Sequence, residues 1–134
     1  MSNRRGMTLL IVLVMSALIG ISAMLLFSSA NMDMMIAGNN RRINQAKISA
    51  TSGLNHFTAL GLGYDALRER AGVLQTVQVI AESQLSPKTS YEVKVHFSPH
   101  LSARQYIIES IGYYKKGDKI LAAHPIKALF EGSE

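Results

Sequence analysis

Four histidines, His56, His96, His100 and His124, have the widest chemical repertoire of any side chains in this sequence. Imidazole can ligate a metal or carry a proton near neutral pH. The spacing argues for neither use. No two of the four lie at i and i+4 on a helical pattern, and no cysteine is present to complete a metal set. His96 and His100 bracket Ser98-Pro99, a loop signal, and read as solvated surface histidines. Serine is common, yet no serine stands in a G-x-S-x-G elbow, and no glycine-rich phosphate loop occurs. Asp65, Arg68, Glu69 and Arg70 read as a solvated helix end or loop with local charge pairs. Tyr113-Tyr114-Lys115-Lys116 reads either as a partner contact or as a strand end running into a turn. No catalytic, cofactor-binding or metal-binding residue is assigned, and the chain is read as a non-enzyme without a cofactor.

The elements that would position any site are unevenly built. The chain has 134 residues, 48% of them hydrophobic, and a formal net charge of +5. From Met7 to Met32 there is no charged residue. As a helix that run is roughly 39 Å long at about 1.5 Å per residue. A bilayer core is about 30 Å thick, so the run can span it with some tilt. The remainder is one small domain with a modest core. Positive charge is spread along the chain without a basic stripe interleaved with aromatics, so nucleic acid is not an expected partner.

A basic start, Asn3-Arg4-Arg5, precedes the apolar run. The run is too long for a secretory signal, whose apolar stretch is 7–15 residues and ends at a small-residue site. Ser28-Ser29-Ala30 is the nearest such site. Arg4 and Arg5 favour a cytoplasmic amino end, although Arg41, Arg42 and Lys47 lie on the other flank. A single-span anchor is the plain reading. Met32, Met34 and Met35 suit the bilayer boundary better than a metal. Ser16, Gly20 and Ala23 fall on nearly one face, where small residues allow helices to approach closely.

Arg4-Arg5-Gly6-Met7-Thr8-Leu9-Leu10 resembles the prepilin leader of type IV pilins and type II secretion pseudopilins. The resemblance implies cleavage by a prepilin peptidase between Gly6 and Met7, on the cytoplasmic side, followed by N-methylation of Met7. The cut would remove Arg4 and Arg5 and keep the helix. One departure stands out. Most major pilins carry Glu as the fifth residue after the cut, and here that residue is Ile11. Without that Glu the chain resembles the minor subunits of filament tips, which have no neighbour above them to pair with.

No proline occurs before Pro87, so the helix need not stop at the membrane edge. Ile36, Ile43, Ala46, Ala50, Leu54, Phe57 and Leu60 recur mostly three, four or seven apart and form one stripe. Asn40, Arg41, Asn44, Gln45, Lys47, Ser52 and Asn55 take the other face. Gly61-Leu62-Gly63 suits a helix stop. The spacing predicts a helix of about 54 residues, roughly 80 Å long. Ile43, Ala50, Leu54 and Phe57 are the expected helix–head contacts. Gly38, Asn39 and Asn40 have poor helix propensity and mark a weak point. Met35-Ile36-Ala37-Gly38-Asn39-Asn40-Arg41-Arg42, with Ala46 and Ala50, also resembles the PilX group of minor pilins, over about the first fifty residues.

Beyond the helix, Tyr91 to Phe97 alternates: Tyr91, Val93, Val95 and Phe97 face one way, and Glu92, Lys94 and His96 the other. That is a half-buried strand. Gln105 to Tyr114 is a second strand. Lys116-Gly117-Asp118 is a turn, with Lys119 to Ala123 as its hairpin partner. Pro125 interrupts, and Ile126 to Phe130 continues that strand or forms a fourth, at an edge. Val73 to Leu85 fits a helix or an extra strand, with strand preferred. The helix stripe from Ile43 to Leu60 is the only long cover for the sheet.

The expected fold class is therefore α+β and, by resemblance, pilin-like: one long amino-terminal helix and a small antiparallel sheet of 3–4 strands. The divisions are a leader at 1–6, a transmembrane or filament-core half-helix at 7–32, an amphipathic half-helix at 33–62 and a β head at 63–134. The resemblance implies a minor pilin that primes type IV pilus assembly, in a tip complex. Its partners would be other minor and major pilins, the prepilin peptidase, the inner-membrane assembly machinery and the bilayer. Its place would be the bacterial inner membrane, single-pass with a periplasmic head, and then the extracellular pilus, or fimbrium. A type II secretion minor pseudopilin, a single-span periplasmic binding or sensory module, and an adhesin head are the alternatives.

Overall fold

A computed structural model describes residues 3–101 and 104–132. Met1 and Ser2 of the expected leader lie outside the described residues, as do the side chains of Arg4 and Arg5. The chain forms α1 (Asn3–Leu60), α2 (Tyr64–Ala71), β1 (Thr76–Ser86), β2 (Thr89–His96), β3 (Gln105–Lys116) and β4 (Lys119–Glu131). The architecture is α+β, with one long amino-terminal helix and a four-stranded antiparallel sheet in the order β1-β2-β3-β4. Two compact units divide it at Asn39/Asn40.

The first unit, Met1–Asn39, is helix throughout its described residues. Leu, Ile, Val, Met and Ala are good or adequate helix formers, and no proline breaks the run. Helix continues across Gly38, Asn39 and Asn40. Propensity there is a small local term that the neighbouring turns outweigh.

The second unit, Asn40–Glu134, holds the rest of α1, then α2 and the sheet. α1 ends at Leu60 because Gly61 takes the left-handed conformation, φ +59°, and donates its N–H to the Thr58 carbonyl. After three residues, Gly61 to Gly63, the chain starts a second helix, α2. The Asp65–Arg70 run, expected as a solvated end or loop, is thus helical, with Leu67 and Ala71 turned into the core. Only two buried residues, Leu67 and Ala71, four apart, mark the inner side of that helix among its charges.

In the sheet, β2 faces the helices with Tyr91, Val93 and Val95, and β3 with Tyr106 and Ile108. Phe57, Leu67, Ala71, Ile80 and Phe97 complete the core cluster. The cover over the sheet is therefore shared between α1 and α2, which corrects the expectation of one covering helix. β1 is the strand preferred for the ambiguous stretch, entered after the exposed residues Val73 and Leu74 and carrying three register shifts. β4 runs unbroken through Pro125, which sits opposite Ile111 in the outermost strand. There a missing N–H costs no ladder bond.

Candidate functional site

In the first unit the candidate site is the helix surface itself. Met7, Leu9, Leu10, Ile11, Leu25 and Phe27 are between 51% and 72% exposed. Soluble proteins rarely leave more than a few hundred Å² of contiguous apolar surface open, so this surface fits lipid or other helices. α1 is long and apolar enough to cross a membrane. Two of its hydroxyls suit that medium. Ser16 donates to the Val12 carbonyl at 2.8 Å and Ser22 to the Leu18 carbonyl at 2.9 Å. Each of these two hydroxyls is thereby satisfied within the helix, as hydrocarbon favours. Gly6 and Gly20 have open space where a Cβ would stand, so neither is required by packing within the chain. Ser16, Gly20 and Ala23 are exposed.

In the second unit α1 meets the sheet through a seam of small residues. Ala46, Ser49, Ala50 and Gly53 are buried. A Cβ on Gly112 of β3 would collide with the Ala46 carbonyl and the Ala50 backbone, and a Cβ on Gly53 would strike Ser110 and the Tyr91 ring. Two hydroxyls tie the seam: Ser49 donates to the Ser90 carbonyl and Ser110 to the Ala50 carbonyl, each at 2.7 Å.

Of the expected helix–head contacts, Ala50 and Phe57 are buried and Leu54 is partly buried against the core. Ile43 is not: it is 40% exposed. In azimuth it stands only about 20° from Ala50, but it lies one turn ahead of Ala46, the first buried residue of α1 among the described residues. Leu60 is 46% exposed. The glycine–serine seam was missed in the sequence, although the pairing of Ala46, Ala50 and Gly53 at helical spacing carried it.

The opposite sheet face carries a charged network. Glu92 accepts from Tyr113 at 2.6 Å, Lys94 at 3.0 Å and Gln78 at 3.2 Å. Burial alone would raise its pKa, but the Tyr113 and Lys94 bonds prevail and hold it below the ordinary carboxylate value. Burial, and then the bond to Glu92, push the Tyr113 phenol well above its ordinary value. Glu109 accepts from His96 at 2.9 Å and pairs with Lys127 at 3.2 Å. These bonds likewise outweigh burial and lower its pKa. Glu82 is lowered by hydrogen bonds from Lys115 and Ser90.

The histidines separate. His96, expected as a solvated surface residue, bonds both Thr76 and Glu109, because its strand position sets it between β1 and β3. His56 meets the Tyr91 hydroxyl at 2.8 Å and the ring edge-on. His100 lies in a turn and His124 on β4. Among the described residues no three His, Cys, Asp or Glu side chains gather as metal ligands. Tyr113 and Lys115 belong to the strand β3, so the Tyr113–Lys116 run is a strand end entering a turn.

A recess of about 270 Å³ lies between Tyr64, Arg68, Phe97 and Arg104, with the Arg68 guanidinium 5.1 Å from the Phe97 ring centre. No protein-family model matches the chain, and neither a curated protein nor a solved structure is detectably similar to it.

Proposed function

We propose that this chain is a type IV pilin-like minor subunit that helps to start pilus assembly, with a structural and not an enzymatic role. The observation that carries the reading is the uncovered apolar helix directly behind Arg4-Arg5-Gly6. An apolar helix that satisfies the Ser16 and Ser22 hydroxyls internally suits lipid and suits a bundle of like helices equally well. Removal of the leader after Gly6 takes away two charges that would hold the helix end at the cytoplasmic interface. The helix is then free to leave the bilayer and pack against other subunits, while the α+β head selects neighbours. Ile11, in place of an acidic residue, leaves nothing at that position to pair with a neighbour's terminal amine, which fits a tip subunit.

The mature amino terminus tests this. Mass spectrometry of the chain purified from its own host is expected to find a terminus at N-methyl-Met7. Replacing Gly6 with leucine is expected to leave the leader attached. An intact Met1 in the wild-type chain, or a mature chain beginning near Ala30, overturns the reading.

A further inference from the structure

We infer that the end of the head at which α1 enters is a docking surface for anionic phospholipid headgroups. The inference rests on the membrane-anchored part of the reading above and on no feature of pilus assembly.

Three contacts fix which end of the sheet this is. Tyr106 stacks on Phe130, which meets Phe57 near the end of α1. Ser110 bonds Ala50, and Gly112 abuts Ala46. β3 therefore runs antiparallel to α1, and its last residues return toward Asn40. From Gly112 to Lys116 is about 13 Å of strand, enough to bring the β3–β4 turn level with Arg41 and Arg42. The β1–β2 turn lies beside it, since Lys115 donates its N–H to the Lys88 carbonyl at 2.7 Å.

Both turns are shaped to display lysine. Lys116 and Lys119 pair across a two-residue turn whose first residue, Gly117, has φ +61°. Lys88 follows Pro87 in the other turn. With Arg41, Arg42 and Lys47 they make six exposed cations at this end, and none forms an ion pair among the described residues. The acids here are Asp118, Glu82 and Glu92; Glu82 is already held by Lys115 and Glu92 by Lys94. The far end is mixed: Asp65, Glu69 and Glu131 accompany Arg68, Arg70 and Arg104.

Lipid fits this collar better than nucleic acid. Arg41 is nine residues beyond Met32 in the sequence, a tether of at most about 30 Å at 3.3–3.6 Å per residue, so the collar is held within reach of a headgroup layer. Single-stranded nucleic acid would want free aromatic faces to stack on. Here the Tyr113 hydroxyl is bonded to Glu92 and its ring is covered by Lys115.

The test uses the full chain in nanodiscs of phosphatidylcholine alone or with added phosphatidylglycerol, labelled sparsely by an amine-acetylating reagent and read by mass spectrometry. In anionic discs labelling of Lys88, Lys116 and Lys119 is expected to fall about fivefold, the partition gain per basic residue at such a surface. Lys127, on the outer face near the far end, is the internal reference and stays unchanged. High salt should abolish the protection. The paired change Lys116→Gln and Lys119→Gln, which takes away two of the six cations, should weaken it at Lys88. Equal labelling in both disc types overturns the inference. So does protection that appears only when duplex DNA is added to neutral discs. Flotation reads the anchor separately: a chain that joins neither disc overturns the membrane reading and this one together, whereas one that joins both but is labelled equally overturns only this one.

Discussion

Gly112 of β3 lies so close to Ala46 of α1 that the carbonyl oxygen of Ala46 occupies the place a Cβ on residue 112 would need. The obstructing atoms are backbone on both sides of the contact, so no flexible side chain can yield.

Gly112→Ala is therefore expected to destabilise the head by about 3 kcal/mol, the upper part of the overpacking range. Gly38→Ala is the control. Its Cβ meets open space, and it should stabilise the helix by up to about 1 kcal/mol. Denaturant melts of the full chain in detergent, followed by circular dichroism, give both values. Equal effects at the two glycines would contradict the seam.

The two seam hydroxyls should each contribute. Ser49→Ala and Ser110→Ala are each expected to cost about 1 kcal/mol, the usual net worth of one intramolecular hydrogen bond. Ser52→Ala should cost less. Its hydroxyl bonds the Ile48 carbonyl of its own helix and ties nothing across the seam. The same melts rank the three.

Acid should weaken the head. Glu82, Glu92 and Glu109 all titrate below their ordinary value of 4.5 when folded. Their stabilisation is complete above that value and is lost as pH falls through the lower folded values. The melting temperature is expected to be flat just above pH 4.5 and to decline below it, with Glu92→Gln shallowing the decline. The alkaline limb has the opposite sign. The Tyr113 pKa is raised, so its share is present below about pH 10 and lost above it. A melting temperature indifferent to acid would sink the network as a source of stability.

The β4 edge of the sheet is guarded by two of its residues. Pro125 offers no donor there, and Lys127 carries a charge that resists pairing with another strand. Replacing both with valine should promote self-association, seen as an earlier elution in size-exclusion chromatography and higher light scattering. The single change Ala128→Val, on the opposite face of the strand, should not.

Much of the head was legible in the sequence, for identifiable reasons. Period-2 alternation from Tyr91 to Phe97 marked β2 and its buried face, and Lys116-Gly117-Asp118 marked the hairpin. Gly61 marked the end of α1. Less legible was everything set by three-dimensional approach. Ile43 is apolar and correctly spaced, yet it is 40% exposed, because it lies one turn ahead of Ala46, where α1 first becomes buried. α2 was hidden by its charges, with only Leu67 and Ala71 facing inward. His96 looked solvated because its partners, Thr76 and Glu109, are distant in sequence. The apolar character of residues 7–32 was plain, since charge and length alone decide it.

The seam also acts as a key. With Ala46, Ser49, Ala50 and Gly53 engaged in one line, the helix cannot turn about its own axis beneath the sheet. A twist of one residue, about 100°, would drive larger side chains into Gly112. Ile48, 62% exposed, stands about 160° around the helix from Ala46 and is presented in constant phase with the strands. A neighbour that grips that outer side of α1 takes hold of the head at a defined azimuth.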